Sequence, residues 1–160
     1  MTDTYDVIVV GAGNAALNAA IAARERGASV LVLEKAPQAL RGGNTFFTAG
    51  GYRFAYTGIE EVRALIPDLS PQELAAMDVG SYPQPQYYDD LMRVTEGLSD
   101  PDLAQTLVSG SFPAMRWLHG KGLRFVPMWG RQAFKIGDKF HFWGGLILEA
   151  VGAGKGLSDQ

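Results

Sequence analysis

Hydrophobic positions near the start of the chain fall into two short uninterrupted runs, Tyr5 to Val10 (YDVIVV) and Ser29 to Leu33 (SVLVL). Between them Leu17 to Arg26 is rich in alanine and closed by Gly27, which predicts a helix. Continuous apolar runs of this length, rather than alternating ones, predict strands buried on both faces. Strand, helix and strand therefore read as one βαβ unit with parallel strands.

The middle of the chain reads differently. Helices are predicted over about 59 to 66, 71 to 78 and 84 to 97, with Pro67, Pro71, Pro83 and Pro85 as breaks and Ser70 capping the second. Asp100 followed by Pro101 reads as an N-cap and first helical residue. The helix it opens runs through Leu103, Leu107 and Val108, is interrupted near Pro113, and resumes through Met115, Trp117 and Leu118 to Gly120. No internal repeat is present.

Composition narrows the function classes. The chain has 160 residues, 47% hydrophobic and 19% charged, with a net charge of -3 and mean hydropathy of -0.01. A soluble globular domain is expected, with neither a basic field for nucleic acid nor a membrane segment. Charge divides the chain into thirds of +1 (1–56), -8 (57–110) and +4 (111–160), and the acidic middle reads as a solvated face. Val7 to Val10, preceded by Asp3 and Asp6, is too short for a signal-peptide core, so a cytoplasmic protein is expected. Without cysteine there are no thiolate metal sites, iron–sulfur clusters or cysteine nucleophiles, and redox chemistry requires a bound cofactor.

The 20 glycines are roughly double the usual share of about 7%. They cluster at Gly11 and Gly13, Gly42 and Gly43, Gly50 and Gly51, Gly144 and Gly145, then Gly152, Gly154 and Gly156. Such groups hold backbone close to something or carry it through positive φ, and together they suit a chain that wraps an extended ligand.

The first group sits where a βαβ unit binds a dinucleotide. Gly11 permits the tight strand-to-helix turn, Gly13 lets a pyrophosphate approach the helix amides, and Ala16 takes the third small position, where helix packs on strand. Glu34 ends the second strand, where a carboxylate accepts hydrogen bonds from ribose hydroxyls and repels the 2'-phosphate of NADP. FAD and NAD both fit this unit. A simple NAD domain would continue into alternating helix and strand, whereas Lys35 to Gly51 is a long glycine-rich excursion suited to running along more cofactor.

The run GAGNAALNAAIAARERGASVLVLEK, followed by RGGNTFFTAGGYRFAY, resembles the start of the fumarate reductase and succinate dehydrogenase flavoprotein family. Within it the run is most similar to FAD-dependent tricarballylate dehydrogenases and precorrin-3B synthase-type flavoproteins. The resemblance implies that Gly11, Gly13, Asn14 and Ala15 face the pyrophosphate, and that Glu34 and Lys35 face the adenosine ribose. Arg41, Gly42, Gly43, Asn44 and Thr45 would lie along the pyrophosphate and ribityl portion, with Thr48, Ala49, Gly50 and Gly51 beside the isoalloxazine ring. More loosely, MRWLHGKGLRF resembles the helix before the family's substrate-covering insert, and GGLILEAVGAGKGL resembles the glycine-rich return into the FAD domain.

The implied fold is α/β, a three-layer Rossmann-like FAD-binding domain with an inserted α+β cap, of which this chain carries the N-terminal portion. Its boundaries are expected at 1–123 for the FAD-binding part, 124–143 for the start of the cap and 144–160 for the return. Covalent members carry histidine where Asn44 stands, so FAD is expected to be noncovalent. Gly152-Ala153-Gly154 departs from the family's glycine run. The family's later strands, substrate histidines and proton-passing arginine lie beyond Gln160, so a fragment is expected and no catalytic residue is assigned. The parent enzyme would dehydrogenate a small di- or tricarboxylate at adjacent carbons and pass electrons to an acceptor protein. This chain alone is expected to leave Val7 to Val10 and Val30 to Leu33 without part of their cover, to bind FAD weakly or not at all, to be inactive and to self-associate. The alternatives are a 3-ketosteroid dehydrogenase of the same superfamily and a noncatalytic remnant.

Other candidates are weaker. His119 reads as a helix-end cap, His141 as part of a packed aromatic turn, and their spacing offers no metal site. Arg41, Arg53, Arg131 and Lys135 read as solvated cations, and Tyr82, Tyr87 and Tyr88 as packing for the acidic helices.

Overall fold

A computed structural model describes residues 4–159, so Asp3 and Gln160 lie outside the described residues. In chain order the elements are β1 (Val7–Val10), α1 (Asn14–Glu25), β2 (Val30–Leu33), 3-10 turns at Gln38–Leu40 and Gly43–Phe47, β3 (Gly51–Tyr52), α2 (Ile59–Arg63), α3 (Pro71–Ala76) and β4 (Met77–Asp78). There follow α4 (Gln84–Val94), α5 (Pro101–Gly120), β5 (Phe125–Pro127), β6 (Ala133–Ile136), β7 (Lys139–Phe142), β8 (Leu148–Ala150) and α6 (Ala153–Asp159). The chain divides into two compact units, residues 1–50 with 152–160, and residues 51–151. These units cut the chain elsewhere than the sequence boundaries at 123 and 143.

In the first unit β1 and β2 pair in parallel from Val7 opposite Val30 to Val10 opposite Leu33. Polar groups just outside the strands help fix that register: the Ser29 amide and hydroxyl both donate to Asp6 Oδ2, at 2.8 and 2.7 Å. The βαβ unit is as expected, with its helix starting at Asn14 rather than Leu17. The two strands are only partly covered, as expected of a chain that lacks their neighbours. Ile8 and Val10 are 58% and 83% exposed, because α1 covers only one face of a sheet of two strands.

The second unit holds most of the core, with Phe54, Tyr56, Val62, Leu65, Tyr82, Val108, Met115, Ile147 and Leu148 fully buried. Its sheets are β3-β8-β5, antiparallel throughout, and β4-β7-β6, in which β4 and β7 run parallel and β6 and β7 antiparallel. Ser70 and Glu73 form a reciprocal capping box on α3, with Pro71 in its first turn. The helix stops at Ala76 rather than 78, because Met77 and Asp78 pair with β7. Helix α4 likewise ends at Val94, and Glu96 and Gly97 turn left-handed after it.

The Asp100 carboxylate caps α5 by accepting from the Asp102 and Leu103 amides. The expected interruption near Pro113 is absent, and α5 is one helix of 20 residues. Proline removes the amide that would bond the Ser109 carbonyl, but it lies on the exposed side. Val108, Ser111, Met115 and Leu118 bury the opposite side and hold the turn. Ser111 completes that contact: its hydroxyl accepts from the Ala55 amide at 3.0 Å and donates to the Val108 carbonyl at 2.7 Å. Among the described residues no helix is long and apolar enough to cross a membrane.

Candidate functional site

The end of β1, the start of α1 and the end of β2 meet in the first unit. Gly11 adopts φ +100°, a conformation that favours glycine, and its amide donates to the Leu33 carbonyl at 2.6 Å, binding the turn to β2. Gly13 is the N-cap of α1. It offers no side-chain cap, and the first turn carries no acidic residue. The amides and the positive end of the helix dipole at this point therefore suit an anion.

Glu34 closes the site from β2. Its Oε2 accepts from the Ala12 amide at 2.9 Å and its Oε1 from the Ala36 amide at 2.8 Å. The Ala36 amide, with help from Ala12, holds the carboxyl below the usual carboxylate range. Glu34 therefore stays ionised while tying the glycine turn to the end of β2.

The glycine-rich excursion returns to the same place. Gly42, at φ +100°, precedes the 3-10 turn Gly43–Phe47. From that turn Thr45 Oγ1 accepts the Asn14 amide at 3.0 Å. A Cβ at Gly13 would stand 3.5 Å from both the Gly42 carbonyl and Thr45 Oγ1, so the two loops face each other across that glycine. Thr48 shapes the exit of the turn: its hydroxyl donates to the Thr45 carbonyl and accepts from the Gly50 amide.

The structure thus brings together Gly11, Gly13, Asn14, Glu34, Gly42 and Thr45, with Gly43, Thr48, Ala49 and Gly50 continuing the same turn. Ala15 lies in the first turn of α1. Lys35 and Asn44 are exposed. Arg41 is turned aside, pairing with Asp159 at 2.8 Å and donating to the Gln38 carbonyl. Gly51 opens β3 in the second unit.

Residues 152–159 lie with residues 1–50 in one unit, where a return over 144–160 is expected, but the contact that seats them, the Gly154 amide donating to the Thr48 carbonyl at 2.9 Å, is not foreseen from the sequence. The alternating glycines at 152, 154 and 156 were the available signal.

The remaining candidates belong to the second unit. His119 sits in the last turn of α5. His141 is on β7 rather than in a turn, stacked on Phe134, with Nδ1 3.4 Å from Asp78 Oδ2. Tyr82 and Tyr87 are buried and pack together, their ring centroids 5.4 Å apart. No group of three or more metal-ligating side chains occurs among the described residues.

A family model described as the FAD binding domain matches residues 6–142. The chain belongs to the FAD-binding domain family. This FAD-binding domain is 32% identical over 120 residues to a fumarate reductase (cytochrome) of Shewanella frigidimarina, covering 75% of the chain and 18% of that protein. It is 35% identical over 122 residues to an L-aspartate oxidase of Mycobacterium bovis, covering 76% of the chain and 19% of that protein. Its fold matches the open conformation of a flavocytochrome c3 fumarate reductase with a TM-score of 0.66 at 23% identity, covering 99% of this chain and 24% of that one. The FAD-binding domain described here spans less than a fifth of the length of these curated relatives.

The residues present fit the cofactor. A helix start whose N-cap Gly13 brings no side chain and whose first turn carries no acidic residue, a glycine with no Cβ between two loops, and a carboxylate held ionised at the end of β2 match a pyrophosphate and a ribose.

Proposed function

We propose that this FAD-binding domain belongs to an oxidoreductase that dehydrogenates a small di- or tricarboxylate, tricarballylate being the type, at adjacent carbons. The observation that carries the cofactor half is the convergence of the Ala12 and Asn14 amides, Glu34 and Thr45 at one end of α1. The substrate half is supported by similarity to two proteins named for four-carbon dicarboxylates, fumarate and aspartate.

In this reading the start of α1, from Gly13 to Ala15, receives the pyrophosphate, with Gly43 leaving room on the facing loop and Gly42 making room for Ser158 behind it. Glu34 accepts the ribose hydroxyls and Lys35 lies beside them. Gly43, Asn44 and Thr45 follow the ribityl chain, and Thr48 to Gly51 approach the ring. FAD, when bound, supplies the redox step by accepting a hydride, while the chain fixes its position. A carboxylate substrate and an electron-acceptor protein complete the proposed set of partners.

Asn44 supports noncovalent attachment, since an amide lacks the nucleophilic ring nitrogen through which histidine forms such a bond. Acid precipitation of the holoprotein is expected to release yellow flavin into the supernatant. Flavin fluorescence that stays on the denatured band would refute noncovalent binding, and copurification of NAD without flavin would refute the cofactor assignment. For the substrate, the flavin of the intact enzyme is expected to bleach anaerobically on adding tricarballylate. Bleaching by a 3-ketosteroid alone would overturn the carboxylate reading.

A further inference from the structure

Thr45 is held from two sides. Its hydroxyl accepts the Asn14 amide, and its carbonyl lies against Gly154, more than a hundred residues later in sequence. A Cβ at Gly154 would stand 2.0 Å from that carbonyl oxygen, 2.7 Å from the Thr48 carbonyl oxygen and 2.8 Å from the Thr48 nitrogen. All three are backbone atoms, so no rotamer change makes room. Two further points seat the same segment. A Cβ at Gly50 would stand 2.8 Å from the carbonyl carbon of Ala153, and Asp159 pairs with Arg41 at 2.8 Å.

We propose that Gly154 is a positioning residue for the cofactor site: by admitting the Thr45 carbonyl it sets Thr45 Oγ1 on the Asn14 amide at the start of α1. The chain of contact is short and rigid. Gly154 touches the backbone of the 3-10 turn, that turn fixes where the Thr45 hydroxyl points, and the hydroxyl orders the first amide of α1. Displacing Thr45 by about an ångström is enough to take a 3.0 Å hydrogen bond out of range. Only the part of the effect that concerns FAD rests on the function proposed above.

The test uses the isotopically labelled 160-residue chain, read by hydrogen exchange at the Asn14 amide and by FAD titration. Gly154→Ala is expected to speed Asn14 exchange about tenfold while the amides of β1 and β2 keep their protection, and to weaken FAD binding about tenfold. Thr45→Val should speed Asn14 exchange to the same degree, and Thr45→Ser, which keeps the hydroxyl, should not. Adding Gly154→Ala to Thr45→Val should change Asn14 exchange little further, as expected of residues acting through one contact. Gly110→Ala, with nothing within 4 Å of the added methyl, should change neither reading.

A folded Gly154→Ala chain with Asn14 as protected as in the parent overturns the proposal, as does full additivity with Thr45→Val. Should Gly154→Ala fail to fold, Asp159→Asn loosens the same segment through Arg41. About threefold faster Asn14 exchange then supports the proposal, and unchanged exchange overturns it. A chain of 160 residues that does not bind FAD is the result expected of a fragment and leaves the proposed function standing, and Asn14 exchange then decides the role of Gly154.

Discussion

Glu34→Arg is expected to strip the flavin from the protein. The substitution removes the acceptor of the Ala12 and Ala36 amides, so the glycine turn loses its tie to β2. It also places a cation where the proposed ribose hydroxyls need an acceptor. Two charge-assisted hydrogen bonds are lost together with the ligand contact, and the dissociation constant for FAD is expected to rise at least about 100-fold. Glu34→Gln keeps the shape and one acceptor oxygen, and is expected to cost about tenfold. Flavin-to-protein absorbance ratios after gel filtration measure both. An arginine variant that kept its full flavin complement would remove Glu34 from the site.

The largest loss of stability is expected from Tyr82→Ala in the second unit. Tyr82 is completely buried. Its hydroxyl donates to Asp90 Oδ2 at 2.9 Å and accepts from Arg53 Nη1 at 3.3 Å. Its ring fills the space that side chains at Gly144 and Gly145 would take, with a Cβ at Gly145 only 2.4 Å from the ring. Deleting the ring leaves an aromatic-sized cavity between the Tyr87 ring and the backbone of Gly144 and Gly145. About 3–5 kcal/mol of destabilisation is expected, against about 1–2 kcal/mol for Tyr82→Phe, which removes only the hydroxyl. Urea unfolding followed by tryptophan fluorescence separates the two. Equal midpoints for Ala and Phe would show that the ring contributes nothing by packing. Gly145→Ala attacks the same contact from the other side and adds strain at φ +72°.

What the sequence disclosed depended on how local the cause was. The βαβ unit was legible because two apolar runs and a glycine pair fall within about 30 residues, and the Ser70 and Asp100 caps because a cap involves neighbours only. The exposure of β1 and β2 follows from two readings together: a run such as VIVV states what the strand could bury, and the lack of neighbouring strands states that here it is only partly covered. The helix through Pro113 was missed because long-range packing by Met115 and Leu118 outweighed a local rule. Thr45 was assigned to the cofactor, but its bond to Asn14 spans 31 positions and no spacing rule reaches that far. The return of Gly154 onto Thr45 and Thr48 is a contact between backbones, which leaves only an absent side chain as its trace in sequence.

The pairing of β3 with β8 bears on the order in which the chain folds. Gly51 and Glu149 are opposite one another, so the second unit begins and ends at hydrogen-bonded neighbours. The first unit is made of two pieces separated by about a hundred residues, and closing so long a loop in an unfolded chain costs about 2–3 kcal/mol more than closing a short one. Once the second unit has folded, that separation shrinks to the width of a strand pair, and α6 reaches the 3-10 turn as if it followed directly in sequence. Pulse-labelled exchange is therefore expected to protect β3 and β8 before the Gly154 amide, and the reverse order would exclude this route. On this route the unit that holds β1 and α1, although it opens this sequence, is completed after the unit that interrupts it.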